Sequence, residues 1–255
     1  MMRQVRFGGA LGIVFALCIV APCLPISLAF QQSVMAQTIQ DRRAEGERLF
    51  DQALKLYQKG LYPEVLQVAK QSLEIFRSLK DFDREEWLLI MLQGSYESLN
   101  LHQEALQYAL QSLQTSIRSK NTSREVSSFL YVAKAYYNLG QQQKANEYLQ
   151  EALKIIRANK LDDLERVINL MTIGLYHSQA GLHQQAIDYC EEGLTISRKS
   201  NNVYAKGFEG TLLLLISRSY QLIGQPQKAI EYIQQVDQIQ KAIDNLQTIQ
   251  QLRKL

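Results

Sequence analysis

Apolar residues along the chain recur at helical spacing, and they do so in blocks. Leu49, Ala53 and Leu56 stand before the cluster Lys59-Gly60-Leu61-Tyr62-Pro63-Glu64-Val65, and Leu66, Ala69, Leu73 and Phe76 follow it. Spacings of three and four put each set on one face of a helix, so the cluster reads as the turn of a helical pair. Gly60 supplies the left-handed residue on which a helix ends, and the side chain five residues later sets how closely the second helix approaches the first.

The cluster returns as Leu99-Asn100-Leu101-His102-Gln103-Glu104-Ala105. It returns again around Gly140 with Lys144-Ala145, around Gly181 with Gln185-Ala186, and around Gly224 with Lys228-Ala229. Its ends at 65, 105, 145, 186 and 229 are 40, 40, 41 and 43 residues apart. A nearly fixed period of this size predicts an all-α solenoid of five helix–turn–helix repeats, at about 45–80, 83–120, 123–160, 164–200 and 207–243.

Helix starts support this phasing. Asp81 or Asp83 before Arg84-Glu85-Glu86, Asn121-Thr122-Ser123 before Arg124-Glu125, and Asp162-Asp163 before Glu165 offer capping oxygens and first-turn carboxylates. Asn201-Asn202 does the same ahead of the fifth unit. After Ala229 the apolar stripe Ile230, Ile233, Val236, Ile239, Ile243, Leu246, Ile249 and Leu252 continues to the end. Residues 245–255 are expected to fold back as a capping helix over the last apolar face. A homodimer seam on the same stripe is the alternative.

Composition narrows the class. Hydrophobic residues at 46% and charged residues at 21% are not those of a disordered chain, and a net charge of +3 is too small for a nucleic-acid binder relying on neutralised phosphates. The N-terminus changes the balance further. Residues 1–36 hold no acidic residue, start with Arg3 and Arg6, and run through an apolar stretch from Phe7 to Ala21 toward Val34-Met35-Ala36, the pattern of an export signal. Cleavage is expected after Ala36, with Ala29 as the second site. The product would be periplasmic or extracellular, or in the thylakoid lumen of a host that has one, with no membrane partner. An uncleaved anchor over 7–30 is the competing reading. Cys18 follows Leu17 and Cys23 follows Pro22, which does not suit lipid attachment. Loss of the segment removes two positive charges and two cysteines, leaving Cys190.

The repeats resemble the tetratricopeptide repeat family. In the third unit Phe129 stands at the bulky first position, Val132-Ala133 at the Leu-Gly pair, Tyr136 and Tyr137 near the aromatic position and Gly140 at the turn, followed by Ala145, Leu149 and Ala152. The fourth has Leu170, Ile173-Gly174, Gly181, Ala186, Cys190 and Gly193, and the fifth Leu213, Ile216-Ser217, Tyr220, Gly224, Ala229, Ile233 and Val236. Units one and two depart from the pattern, with Val65 for the small residue and Asn100 for the turn Gly. The period exceeds the family's basic 34 residues, which reads as added helical turns. Pro63 and Pro226 fall in the first turn of second helices, where a missing N–H costs nothing. Long repeats of this kind are similar to arrays found upstream of CHAT-type protease domains, and no such domain follows within these residues.

The resemblance implies a scaffold, not an enzyme, that binds a protein or peptide in the concave groove of its first helices. Matching the family's inward positions selects Phe50, Leu54 and Tyr57, then Trp87, Ile90 and Gly94, then Leu130, Lys134 and Tyr137, then Met171 and Leu175, and finally Leu214 and Arg218. This lining is apolar and aromatic with two cations, and it lacks the Lys and Asn set with which some family members clamp a C-terminal carboxylate. An amphipathic helix or extended apolar peptide fits it. The competing reading is that the longer first helices fill their own groove. A regulatory or oligomerising subunit docking through its C-terminal helix is a second functional reading, and a thiol or metal enzyme a third.

The residues offer that third reading little. His102 and His183 share one turn position in repeats two units apart, and no HExxH or CxxC accompanies them, so no metal or cofactor is expected. His177 stands where an aromatic residue is usual and is expected to be a packed, hydrogen-bonded core side chain. Cys190 falls at a buried position, where a thiol is inert.

Overall fold

The computed structural model describes residues 24–158 and 161–252. Most of the expected export signal, residues 1–23, lies outside them. Two compact units divide the chain, Met1–Arg42 and Arg43–Leu255. The described part of the first is helical and forms the beginning of α1 (Leu24–Gln58), so the expected cleavage site after Ala36 falls within a helix. Among the described residues no helix is long and apolar enough to cross a membrane.

The second unit is a solenoid of helical pairs, and the described residues contain no strand. The end of α1 pairs with α2 (Tyr62–Ser78), α3 (Phe82–Ser98) with α4 (His102–Ser119), and α5 (Thr122–Asn138) with α6 (Gln142–Arg157). Next come α7 (Asp163–Gln179) with α8 (His183–Lys199), then the short α9 (Val203–Gly207), then α10 (Glu209–Leu222) with α11 (Pro226–Leu252). The five turns fall where the period puts them. Gly60, Gly140, Gly181 and Gly224 have φ of 72°, 72°, 77° and 73°, and Asn100 has 58°. At each, the next N–H reaches back to a carbonyl in the last turn, as Leu182 N–H does to His177 at 2.8 Å and Gln225 N–H to Tyr220 at 2.9 Å.

Helix starts are capped as the sequence suggests. Asp81 accepts from the Arg84 N–H, Asn121 from Arg124, Asp162 from Glu165, and Asn202 from Tyr204 and Ala205. Lys80 and Lys120, both at φ 55°, make the left-handed links from one pair to the next. The larger spacing into the fifth repeat is taken up by α9 and by Phe208, which separates it from α10.

Small buried residues let the pairs close. Ala105, Ala145, Ala186 and Ala229 are all buried at the starts of second helices, and Val65 fills the equivalent place in the first pair. Around them runs a nearly continuous core, from Phe76, Leu88 and Leu92 through Leu149, Ile156 and Leu170 to Leu212 and Ile216. Fully burying one such side chain stabilises by about 1.5 to 3 kcal/mol. Repeats two to five also share an aromatic pair spanning the turn: Tyr96 with Tyr108, Tyr136 with Tyr148, His177 with Tyr189 and Tyr220 with Tyr232. Their ring centroids lie 5.3, 5.4, 4.9 and 5.5 Å apart. A second periodic feature is a column of arginines near the ends of the second helices. Arg77 donates to Gln111 at 2.6 Å, Arg157 to Glu192 at 2.7 Å and Arg198 to Gln235 at 2.7 Å, each joining one repeat to the next.

One expectation fails. No separate helix begins at Asn245, because α11 continues unbroken from Pro226 to Leu252. No Gly or Pro lies between Gln227 and Leu252, so nothing in this stretch ends the helix early.

Candidate partner-binding groove

The first helices α1, α3, α5, α7 and α10 carry the expected groove residues, and the structure sorts them into three groups. Trp87 and Leu214 are the most open, at 57% and 51% exposed, with Leu54 also exposed. Arg218 is exposed, and Ile90, Gly94, Met171 and Leu175 are half-buried. Phe50 and Leu130, however, are only 6% and 4% exposed and belong to the core. Phe50 lies under the next repeat, with the Arg84 guanidinium 4.5 Å from its ring centre. Leu130 packs with Val126, Leu149 and Leu170. Neither offers a side chain to a ligand.

Between these extremes the groove is partly filled by the chain itself. Lys134 is not a free cation, since its Nζ donates to Glu97 Oε2 at 2.6 Å. The Tyr137 hydroxyl donates to Asn146 at 2.7 Å, and its ring lies 6.4 Å from that of Tyr176. Tyr57, Tyr131 and Tyr176 all lie near enough to Glu97 for its charge to act on them, and burial together with that charge raises the pKa of each. Burial pushes Tyr137 up to about 12. Gly94 leaves room for this arrangement, because a methyl group added there would lie 2.5 Å from the Tyr57 hydroxyl. The middle of the groove is thus tyrosine-lined around one ion pair, with the apolar openings on either side of it.

Two groove features have no counterpart in the sequence reading. Ile168 occupies in repeat four the helical position that Trp87 holds in repeat two, and it too is exposed. Glu86, beside Trp87, looks in the sequence like a first-turn carboxylate meeting the helix dipole; it is instead 3% exposed. Its Oε2 accepts no hydrogen bond, and Arg124 Nε stands 3.4 Å away. Burial pushes its carboxyl up to about 7, with Arg124 opposing the rise and Asp83 adding to it. The apolar run that follows Glu86 was the available signal, since Leu88, Leu89 and Leu92 leave little wet surface on that helix.

Two of the residues considered for chemistry, His177 and Cys190, are buried. His177 is buried, its Nδ1 lies 2.9 Å from the Ile173 carbonyl, and burial lowers its pKa. Cys190 is 1% exposed and burial pushes its thiol up to about 12, the direction that suppresses the reactive thiolate. Among the described residues no three His, Cys, Asp or Glu side chains stand together as metal ligands would.

Comparison with known proteins agrees with this architecture. Residues 126–159 and 211–243 each match a tetratricopeptide repeat family. No curated protein matches the sequence. Among solved structures, BtubC (BKLC) from P. vanneervenii superposes with a TM-score of 0.65 at 15% identity, covering 86% of this chain and 92% of that one. The Podosopora anserina putative kinesin light chain with nearly identical TPR-like repeats superposes with 0.62 at 21% identity, covering 77% and 95%. A Rap protein complexed with Competence and Sporulation Factor gives 0.51 at 14% identity, covering 86% and 74%. At these identities the likeness is one of fold. Two repeats matched in sequence, and the same helical pair recurring through the described residues of Arg43–Leu255, support a tetratricopeptide-repeat protein.

Proposed function

We propose that the chain is an exported, non-enzymatic scaffold that holds a protein or peptide partner along the groove of its first helices. The observation that carries this reading is Trp87, a large apolar side chain 57% exposed on the groove face, with Ile90 beside it and Leu54, Ile168 and Leu214 exposed on the other first helices. Large exposed apolar side chains collected on one face favour an interaction role. The filled middle, with Tyr137, Tyr176 and the Lys134–Glu97 pair, favours a partner that touches the groove at separated anchors, as the turns of an amphipathic helix do. A Rap protein of the same fold holds Competence and Sporulation Factor, which lends the reading a precedent.

Trp87 is the one tryptophan of the chain, so its fluorescence reports on the groove alone. A bound partner should shift the emission to the blue and protect it from acrylamide. A partner that binds without changing either signal would refute the groove. Export has a separate test, the intact mass of the chain recovered from outside the cytoplasm, which should lack the first 36 residues.

A second reading rests on α11, where Ile230 and Ile233 are 54% and 43% exposed. They suit an oligomerising face. Light scattering should then give twice the chain mass, falling to one on Ile230→Ser with Ile233→Ser, and a single chain mass throughout excludes it.

A further inference from the structure

Glu86, Trp87 and Ile90 of α3 and Arg124, Ser127 and Tyr131 of α5 line one pocket of about 160 Å³. With a water occupying about 30 Å³, this is room for one extended side chain and not for a folded ligand. We infer that the pocket receives a lysine or arginine side chain of the bound partner, with Glu86 as its counter-charge and Trp87 and Tyr131 as its aromatic lining. The inference rests on the groove reading above, and it adds the chemistry of one anchor.

Three observations carry it. Glu86 lines the pocket at 3% exposed, and the one partner of its Oε2 is the long ion pair with Arg124 at 3.4 Å, so the carboxylate is buried with little to balance it. The one cation at hand is shared: Arg124 Nη1 donates to Asp83, and Arg124 Nε lies 3.4 Å from Glu86. One guanidinium set against two carboxylates leaves the pocket negative whenever Glu86 is ionised, which disfavours an anionic or carboxylate-bearing ligand. Finally, Trp87 and Tyr131 bring ring surface to the same space, and an ammonium or guanidinium is drawn to such faces as well as to the carboxylate.

An apolar side chain of the same length would fill the pocket less well. It would deepen the burial of a carboxylate without adding any charge to balance it, and that desolvation is costly. A basic side chain adds a second cation beside Arg124 and keeps its apolar stem against Ile90, so charge and shape point the same way. The charged and titratable groups around Glu86 are Asp83 on its own helix and Arg124 and Tyr131 on α5.

The test uses the full chain and two small probes, Nα-acetyl-lysine methylamide and its uncharged analogue Nα-acetyl-norleucine methylamide. The indole N–H of Trp87, the single tryptophan side-chain signal in a nitrogen–proton spectrum, is followed during titration at pH 8. The lysine probe should move it saturably and bind at least about tenfold more tightly than the norleucine probe. Glu86→Gln should abolish the preference while the chain melts as a folded protein. Should that variant not fold, the wild-type chain at pH 5 serves instead, and the preference should shrink there as the carboxylate is protonated. Equal response to both probes, or a preference that survives the loss of the Glu86 charge, overturns the inference. Because no partner protein is present, either result leaves the groove reading to its own fluorescence test.

Discussion

Gly174 of α7 faces the Sγ of Cys190 on α8 so closely that a methyl group on Gly174 would overlap the sulfur and would sit 3.1 Å from the Ala186 carbonyl. The glycine therefore sets how near the two helices of the fourth repeat lie, and the cysteine is the side chain cut to fit the remaining space. Gly174→Ala should destabilise the fold by about 1 to 3 kcal/mol by overpacking, despite the helix propensity that Ala adds. In a Cys190→Ala background the same change should cost clearly less, since the clash partner is gone. Urea unfolding of the four proteins in this cycle measures the coupling, and simple additivity would contradict the contact.

Cys190 should be chemically silent while the fold is intact. Its burial and the pKa pushed up to about 12 keep the thiolate population negligible at neutral pH. A chromogenic disulfide reagent should react with it only upon addition of denaturant. Rapid labelling of Cys190 itself in the native protein, told apart from Cys18 and Cys23 by peptide mass, would place the thiol at the surface and revive the thiol-enzyme reading.

Glu86 gives stability a pH slope of definite sign. Its folded-state value of about 7 lies above the ordinary 4.5, so the folded chain holds a proton that the unfolded chain releases. That contribution is fully present below about pH 4.5 and is lost as pH rises through about 7, an effect on the order of 2 kcal/mol. His177, lowered by burial, acts in the opposite sense: it favours the fold above 6.5 and loses that contribution as pH falls. Glu86→Gln should flatten the loss between pH 5 and 7.5 and raise stability at neutral pH. Denaturant midpoints across that range decide the matter, and an unchanged slope would show Glu86 to be solvated.

The ion pairs between repeats should differ in weight. Arg157 and Glu192 meet at an open surface, and Arg157→Ala should cost less than about 1 kcal/mol. Glu85 is nearly fully buried and accepts from Arg77 at 3.2 Å, Arg118 at 3.2 Å and the Thr115 hydroxyl at 3.1 Å. Glu85→Ala should cost on the order of 2 kcal/mol, short of the larger loss for a fully buried pair because both arginines retain access to water. Thermal melts of the two variants separate these cases, and equal losses would contradict the ranking.

The turns and caps were written locally, which is why they were legible. Gly60, Asn100, Gly140, Gly181 and Gly224 all adopt positive φ, and Asp81, Asn121, Asp162 and Asn202 all cap helices, because each residue type has a short-range reason to be there. Lys80 and Lys120 adopt the same backbone conformation with no such reason in their side chains, so those links were not visible. Groove exposure is less local still. Phe50, Ile90, Leu130, Met171 and Leu214 hold one equivalent helical position, yet Phe50 and Leu130 are core while Leu214 is open. What differs at Phe50 is the neighbour: Arg84 of the next first helix lies over its ring. Glu85 and Glu86 misled for the same reason. A carboxylate in a first turn looks solvated until the helices of adjacent repeats close over it.

The most direct test of the scaffold reading is a titration of the full chain with a protein recovered from the exported fraction by affinity capture, followed by Trp87 emission. Binding should shift the emission to the blue, and Trp87→Ala combined with Leu214→Ala should weaken capture severely while leaving the melting temperature near that of the wild type, since both side chains are exposed. A partner that binds with Trp87 emission unchanged, and that is captured equally well by the double variant, would contradict the groove.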